Sequence, residues 1–255
     1  MIAGVRASAG FFSDAGVRPD NQDFAGAVFG WEITPPRRDV VAVLADGIGG
    51  NKGGRVAAET AVRGFLDGFC DMPETMPVQR AAATIITALN GWIYGQGHRD
   101  AALEGMGSTF TALILRGRMA HILHAGDSRA YRMSAGGLTQ LTRDHVRQGP
   151  DGNHLTRALG VEPDVKLDYL TQPAALHDRF LLCSDGLTNH VEDIEIAALL
   201  AADDPEKACA RLITLTLQRG ASDNVSVVIV ACDHDTQTTR FDSTASFVPD
   251  RGIGG

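Results

Sequence analysis

The 255 residues suit one large domain or two small ones, and 44% apolar with 21% charged residues is the balance of a chain that buries a core. A formal net charge of −8 argues against nucleic acid or an anionic membrane as the main partner, although a local cation can still attract a small anion. No apolar run reaches the roughly 18–20 residues of a membrane span. The opening MIAGVRASAG has no export-signal core. Cys70, Cys183, Cys209 and Cys232 form no CxxC pair, which argues against a zinc site and for a reducing, cytoplasmic setting.

In chain order, GVRASAGFF and FAGAVFGW read as strands, ITPPRRD as a proline-broken loop, and VVAVLA as a buried strand. A helix is expected over about 52–70, where Ala57, Ala61, Val62, Phe65, Leu66 and Phe69 share one face. PETMP breaks the chain, and a second helix follows with Ala82, Ile85, Ile86, Leu89 and Ile93 on its apolar face. STFTALILRG, RMAHILHA, RAYRMSA and GLTQLT then read as four successive strands of a meander, with Gly136-Gly137 as a turn. After a polar loop come strands VKLDYL and RFLLCS and helices near 191–202 and 205–218. Asp204-Pro205 supplies an N-cap followed by a favoured first helical residue. VSVVIVACD closes the fold as a buried strand. Consecutive strands with helices in pairs predict an α+β layered domain over 1–233, and the polar 234–255 is expected to be a mobile tail.

One pattern recurs at the strand ends. Ala45-Asp46-Gly47, Gly126-Asp127-Ser128 and Ser184-Asp185-Gly186 follow apolar runs, Ser222-Asp223-Asn224 precedes one, and Asp23 opens FAGAVFGW. Asp and Gly suit turns, so any single site is explained by turn chemistry. Five of them on one sheet system can converge at one edge, where carboxylates repel and raise one another's pKa unless a dication is bound. Oxygen donors without clustered Cys or His favour a hard ion such as Mg²⁺ or Mn²⁺, and several carboxylates suggest a two-metal centre for displacement at phosphorus.

Other readings of the same residues fit less well. VVAVLADGIGGNKGG (40–54) lacks the Gly-Lys-Ser/Thr of a P-loop, and Lys52 stands where a dinucleotide fingerprint needs glycine. DHDTQTTRFDST lacks the central Gly and final Glu of a calcium loop. His121 and His124 face opposite sides of a strand. An aspartyl-phosphate phosphotransferase would want a DxD after the first strand, which DGI does not supply, and the full set of aspartates argues against an inactive binding module.

With that pattern in place, the chain resembles the metal-dependent type 2C Ser/Thr protein phosphatases in their bacterial form. The matching stretches are SDAGVRPDNQD (13–23), LADGIGGNKGG (44–54), GSTFTALIL (107–115), HAGDSRAY (124–131), LTRDH (141–145), LTRALG (155–160), LLCSDGLTNHV (181–191) and ASDNVSVVIV (221–230). The resemblance spans about 5–232 and implies an αββα sandwich, two antiparallel sheets flanked by helix pairs. It also implies hydrolysis of phosphoserine and phosphothreonine in proteins by water activated at two Mn²⁺ or Mg²⁺ ions, opposing a bacterial Ser/Thr kinase. By resemblance Asp46 bridges the two ions and Gly47 lends its carbonyl, while Asp23, Asp185 and Asp223 complete the centre. Asp127 corresponds to the ligand of a third, weaker ion shared with Asp185, and Arg18 to the arginine that grips the substrate phosphate. Asn224 is placed to support the ligands; Ser108 and Thr109 are expected to bond locally rather than act as nucleophiles, and Ser184 to be a small neighbour of Asp185.

Three departures stand out. Ile48 replaces the histidine that many eukaryotic members carry as candidate general acid, and it cannot transfer a proton. Gln22 replaces a common glutamate. The segment between LTRDH and LTRALG, usually a longer flap, is only VRQGPDGNH, which predicts a more open groove. The tail threonines Thr236, Thr238, Thr239 and Thr244 offer a phosphorylation site for a phosphothreonine-reading partner, set against the plainer reading of a solvated tail.

Overall fold

The computed structural model describes residues 5–32, 39–49, 53–149 and 152–235. The elements, in order, are β1 (Val5–Asp14), β2 (Asp23–Phe29), β3 (Val40–Ile48), α1 (Gly53–Asp71), α2 (Val78–Arg99), β4 (Gly107–Ser108), β5 (Phe110–Arg116), β6 (Met119–Ala125), β7 (Arg129–Ser134) and β8 (Gly137–Gln140). There follow β9 (Val146–Gly149), β10 (Gly152–Leu155), β11 (Asp168–Pro173), β12 (Arg179–Cys183), α3 (Asp185–Thr188), α4 (Asp193–Ala202), α5 (Pro205–Gln218) and β13 (Val225–Asp235). Short 3-10 turns occur at Gly30–Glu32 and Ala101–Leu103. Most of the loop at 33–39, residues Gly50, Asn51 and Lys52, and the tail threonines lie outside the described residues.

Two antiparallel sheets face each other. One runs β1-β13-β12-β7-β8 and the other β11-β6-β5-β3-β2, with β4 paired to the end of β3. Strand alternation explains the layering. On β3, Val41, Val43 and Ala45 pack against α1 and α2, while Val40, Ala42 and Leu44 pack between the sheets. On β13, Val225, Val227 and Ile229 face α5, while Val228, Val230 and Cys232 face the opposite sheet. Each sheet is therefore covered by helices on its outer face, giving the expected four layers.

Both long helices bury the faces the sequence marks out; Leu89, at the rim, is only partly buried. Asp204 caps α5 by accepting from the Lys207 N–H, with Pro205 at the first turn. Among the described residues, no helix is long and apolar enough to cross a membrane.

Three expectations are corrected. The four strands β5 to β8 are not one meander: β5 and β6 pair in one sheet, β7 and β8 in the other, so the chain changes sheets at Gly126–Ser128. Gly126 makes the crossing with φ +118, which favours glycine. The polar segment after LTRDH is not a plain loop either, since β9 and β10 pair as a hairpin. In VKLDYL the strand begins only at Asp168.

Candidate metal centre

The same alternation that packs the core aims the carboxylates. Asp46 continues the Val40, Ala42, Leu44 face of β3, so its side chain enters the space between the sheets where the apolar residues stop. Asp23 lies directly across from it in the β2–β3 ladder. Two carboxylates opposite each other destabilise a strand pair, so this register is costly unless a cation balances it. Asp185 begins α3 where β12 ends, Asp127 sits in the sheet-changing turn after β6, and Asp223 precedes β13.

These five converge electrostatically. Burial first, then the charges of Asp23, Asp185, Asp127 and Asp223, hold Asp46 well above the ordinary carboxylate range. Burial pushes Asp23 up to about 6 against a hydrogen bond from Ser184. Burial and then Asp185 raise Asp127 to about 6, and burial and then Asp223 raise Asp185. Asp23 is 5% exposed, and its Oδ1 has no hydrogen-bond partner, a buried acceptor suited to a cation. Among the described residues, no three His, Cys, Asp or Glu side chains form a ready-made ligand cage. An open cluster fits ions that keep several of their waters, as Mg²⁺ does.

The nearby arginines are engaged elsewhere or at the rim. Arg129 forks onto Asp144, with bonds of 2.7–3.1 Å. Arg18, half exposed in the loop between β1 and β2, donates from Nη2 to Asp223 Oδ2 at 2.9 Å and from Nε to the Ser222 carbonyl at 3.2 Å. It stands at the edge of the cluster, as a residue gripping an incoming anion must.

Backbone fit around Asp46 is tight. A Cβ on Gly47 would collide with the Gly54 carbonyl and the Gln22 oxygen, so only glycine lets β3 pass between the first turn of α1 and the β2 approach. Gly47 N–H donates to the Gln22 carbonyl at 3.2 Å, and the Gln22 side-chain oxygen lies against Gly54. Asn224 ties the Arg18 loop down: its Oδ1 accepts from Gln22 N–H at 2.8 Å, and its Nδ2 donates to the Ala15 and Asp20 carbonyls at 3.0 Å.

Several supporting residues exceed their expected roles. Ser108 bonds locally as expected, its Oγ donating to the Thr109 carbonyl at 2.8 Å, but both residues also reach the central aspartate. Thr109 Oγ1 accepts from Asp46 N–H at 2.8 Å and Ser108 Oγ donates to the Asp46 carbonyl at 3.0 Å, so both brace the central aspartate. Ser184 is more than a small neighbour: its Oγ donates to Asp23 Oδ2 at 2.7 Å and accepts from Ser226 N–H at 2.9 Å. Asn189, to which the sequence assigns nothing, donates to Asp185 Oδ2 at 3.2 Å. The only signal for it was its place four residues after the aspartate, one helical turn on.

Comparison with known proteins bears on the family and the fold. The sequence pattern of the family described as Protein phosphatase 2C matches residues 20–224. The Listeria welshimeri serine/threonine phosphatase stp is 34% identical over 242 residues, covering 86% of this chain and 94% of that protein. The crystal structure of the Mycobacterium tuberculosis serine/threonine phosphatase PstP superposes with TM-score 0.79 at 30% identity, covering 89% of this chain and 99% of that one. A structure of the PstP catalytic domain in complex with two manganese ions superposes with TM-score 0.77 at 31% identity, covering 91% of this chain and 100% of that one. This chain belongs to the protein phosphatase 2C family.

Proposed function

We propose that in this protein-serine/threonine phosphatase Asp23, Asp46, Asp185, Asp223 and the Gly47 carbonyl hold two divalent ions, with Asp127 and Asp185 offering a weaker third site. The observation that carries the reading is the gathering of five carboxylates between two sheet edges, where among the described residues an arginine pairs with Asp223 at the rim while Asp23, Asp46, Asp127 and Asp185 keep raised pKa values. Dependence on a divalent metal belongs to the family, and Mn²⁺ is our choice over Mg²⁺ because a PstP catalytic domain is known with manganese. When bound, such ions supply an activated water and neutralise charge on the phosphoryl oxygens.

The chain's own groups do the rest. Arg18 leaves Asp223 for the phosphate, which offers its fork a matching pair of oxygens, and so orients phosphorus toward the aspartates. Ser184 and Asn189 fix the angles of Asp23 and Asp185, while Ser108 and Thr109 fix the backbone of Asp46. Ile48 has no proton to give, so the departing serine or threonine oxygen takes its proton from water.

The substrates are phosphorylated Ser/Thr proteins, and we include among them a bacterial Ser/Thr kinase or its targets, in the cytoplasm. A phosphothreonine-reading partner for the tail is a separate proposal; mass spectrometry after co-expression with a kinase should find phosphate on the tail threonines, and its absence would remove the idea. The direct test of the main reading is hydrolysis of p-nitrophenyl phosphate and of a phosphothreonine protein with Mn²⁺ and with EDTA. Turnover that persists in EDTA would overturn it.

A further inference from the structure

His145 ends the LTRDH segment just before β9, and it is buried, at 8% exposure. It touches three separate parts of the chain. Its backbone N–H donates to the Gly126 carbonyl at 2.7 Å, and its Nδ1 accepts from the Gly126 N–H at 3.2 Å. Residue 126 is thus held on both sides, directly before Asp127. Because Nδ1 accepts, the ring proton sits on Nε2, which donates to Asp168 Oδ2 at 3.0 Å, at the start of β11. Arg157 donates to the other oxygen of Asp168 at 2.7 Å and lies 3.1 Å from the ring. The His145 carbonyl accepts from Thr156 N–H at 2.8 Å, which closes the base of the β9–β10 hairpin.

The surroundings give this clamp little room. The ring stacks on buried His124, with centroids 4.8 Å apart, and burial pushes His124 down to about 4, so it packs uncharged at neutral pH. His124 Nδ1 is bound to the Thr111 hydroxyl at 3.0 Å. A Cβ on Gly126 would strike Thr109, the residue that braces Asp46. Past the hairpin, Ser108 and Leu159 exchange backbone bonds, and Ser108 itself pairs with Gly47. One return of chain therefore runs from the hairpin to both the Asp127 turn and the Gly47 end of β3.

We propose that His145 is a positioning residue that couples the β9–β10 hairpin to the Asp127 turn, so that engagement of a protein substrate by the hairpin and the geometry of the acidic centre are set together. This rests on the reading of the aspartate cluster as the metal centre. A histidine that served packing alone would need neither the paired bonds to Gly126 nor the second carboxylate anchor.

The test uses the full-length protein with Mn²⁺ and the variants His145→Ala, His145→Asn and Asp168→Ala. Asparagine can keep the acceptor for the Gly126 N–H but cannot reach Asp168. For His145→Ala, kcat/KM on a phosphothreonine protein is expected to fall about tenfold, mainly through KM, while p-nitrophenyl phosphate turnover falls less and needs several-fold more Mn²⁺ for half-activation. Amide hydrogen exchange at 146–149 and at Gly126 should accelerate. His145→Asn should restore protection at Gly126 and leave the hairpin loosened, and Asp168→Ala should loosen the hairpin alone. Equal loss on both substrates with an unchanged Mn²⁺ requirement, or unchanged exchange in the hairpin, overturns the proposal. If His145→Ala does not fold, the asparagine and Asp168 variants carry the same comparison. If the wild type proves indifferent to Mn²⁺, the metal-centre reading fails, and the exchange data still decide whether the clamp exists.

Discussion

Strands β3 and β12 each carry an aspartate at both ends, and the two ends differ in kind. Asp39 precedes β3 and Asp46 lies near its far end; Asp178 precedes β12 and Asp185 follows it. At the first end each carboxylate has its own guanidinium. Arg116 forks onto Asp39 with two bonds of 2.8 Å, and Arg132 donates twice to Asp178, at 3.0 and 2.7 Å. At the other end Asp46 meets Asp23, and Asp185 meets Asp127 and Asp223. Buried acids with a built-in partner hold the sandwich together. Buried acids facing one another need a charge from outside, and that need makes a site.

The widest separation of the two ends is expected from Asp46→Asn and Asp39→Ala. Asp46→Asn should lower Mn²⁺-dependent turnover by roughly a thousandfold or more while the EDTA-treated protein melts no lower than wild type, because a repulsive charge is gone. Asp39→Ala should cost about 1–3 kcal/mol of stability, since the half-buried Arg116 loses its carboxylate and keeps the Glu74 and Met76 carbonyls, yet leave turnover near wild type at low temperature. Denaturant melts and steady-state assays on both variants check this. A stability loss in Asp46→Asn matching that of Asp39→Ala would erase the distinction.

Metal and pH sharpen the same contrast. Asp23 and Asp127 are each raised to about 6, so the folded metal-free protein holds protons that the unfolded chain has released above about pH 4. Their contribution to stability is therefore present at low pH and lost as pH rises through about 6. Mn²⁺ competes with those protons, so its stabilising effect should grow between pH 5 and 7.5, reaching about 10 °C in melting temperature at saturation. Scanning calorimetry with EDTA or Mn²⁺ across that range measures it; a gain from Mn²⁺ that shrinks with rising pH would count against carboxylate ligation.

Arg18 is the intermediate case, an arginine that pairs with Asp223 but stays half exposed. If its partner in function is the substrate, Arg18→Ala should lose about 10- to 100-fold in kcat/KM, and Arg18→Lys should recover little because the fork is lost. Its effect on stability should be slight, because exposed pairs contribute little. A large drop in melting temperature without a kinetic change would return Arg18 to a structural role.

Much of this arrangement can be read from the sequence because it follows from short periods. The unbroken VVAVLA run marks a strand buried on both faces, and the helical faces follow from their spacing. The aspartates are visible because each abuts such a run. Their supports are not, because they depend on how distant strands come into register. Ser184 meets Asp23 across 161 positions and Thr109 meets Asp46 across 63. The switch between sheets at Gly126 is likewise invisible to local pattern: an antiparallel strand pair and a crossing between sheets begin with the same turn residues.

Ile48 tests the smallest and most chemical difference. It lies on β3 opposite Gly107, two residues past the central aspartate. A p-nitrophenolate leaves readily without a proton, whereas a serine or threonine alkoxide does not, so a general acid at this position can help only the natural substrates. Ile48→His should therefore raise kcat on a phosphothreonine peptide by about threefold, with a limb in its pH profile near the imidazole pKa of about 6.5, and leave p-nitrophenyl phosphate unchanged. Equal changes on both substrates would mean that the side chain acts through packing of β3 against β4 instead of through the proton. A gain confined to the alkoxide would show that the aspartate end is complete for gripping phosphate, and that proton delivery is the part of the reaction this chain leaves to water.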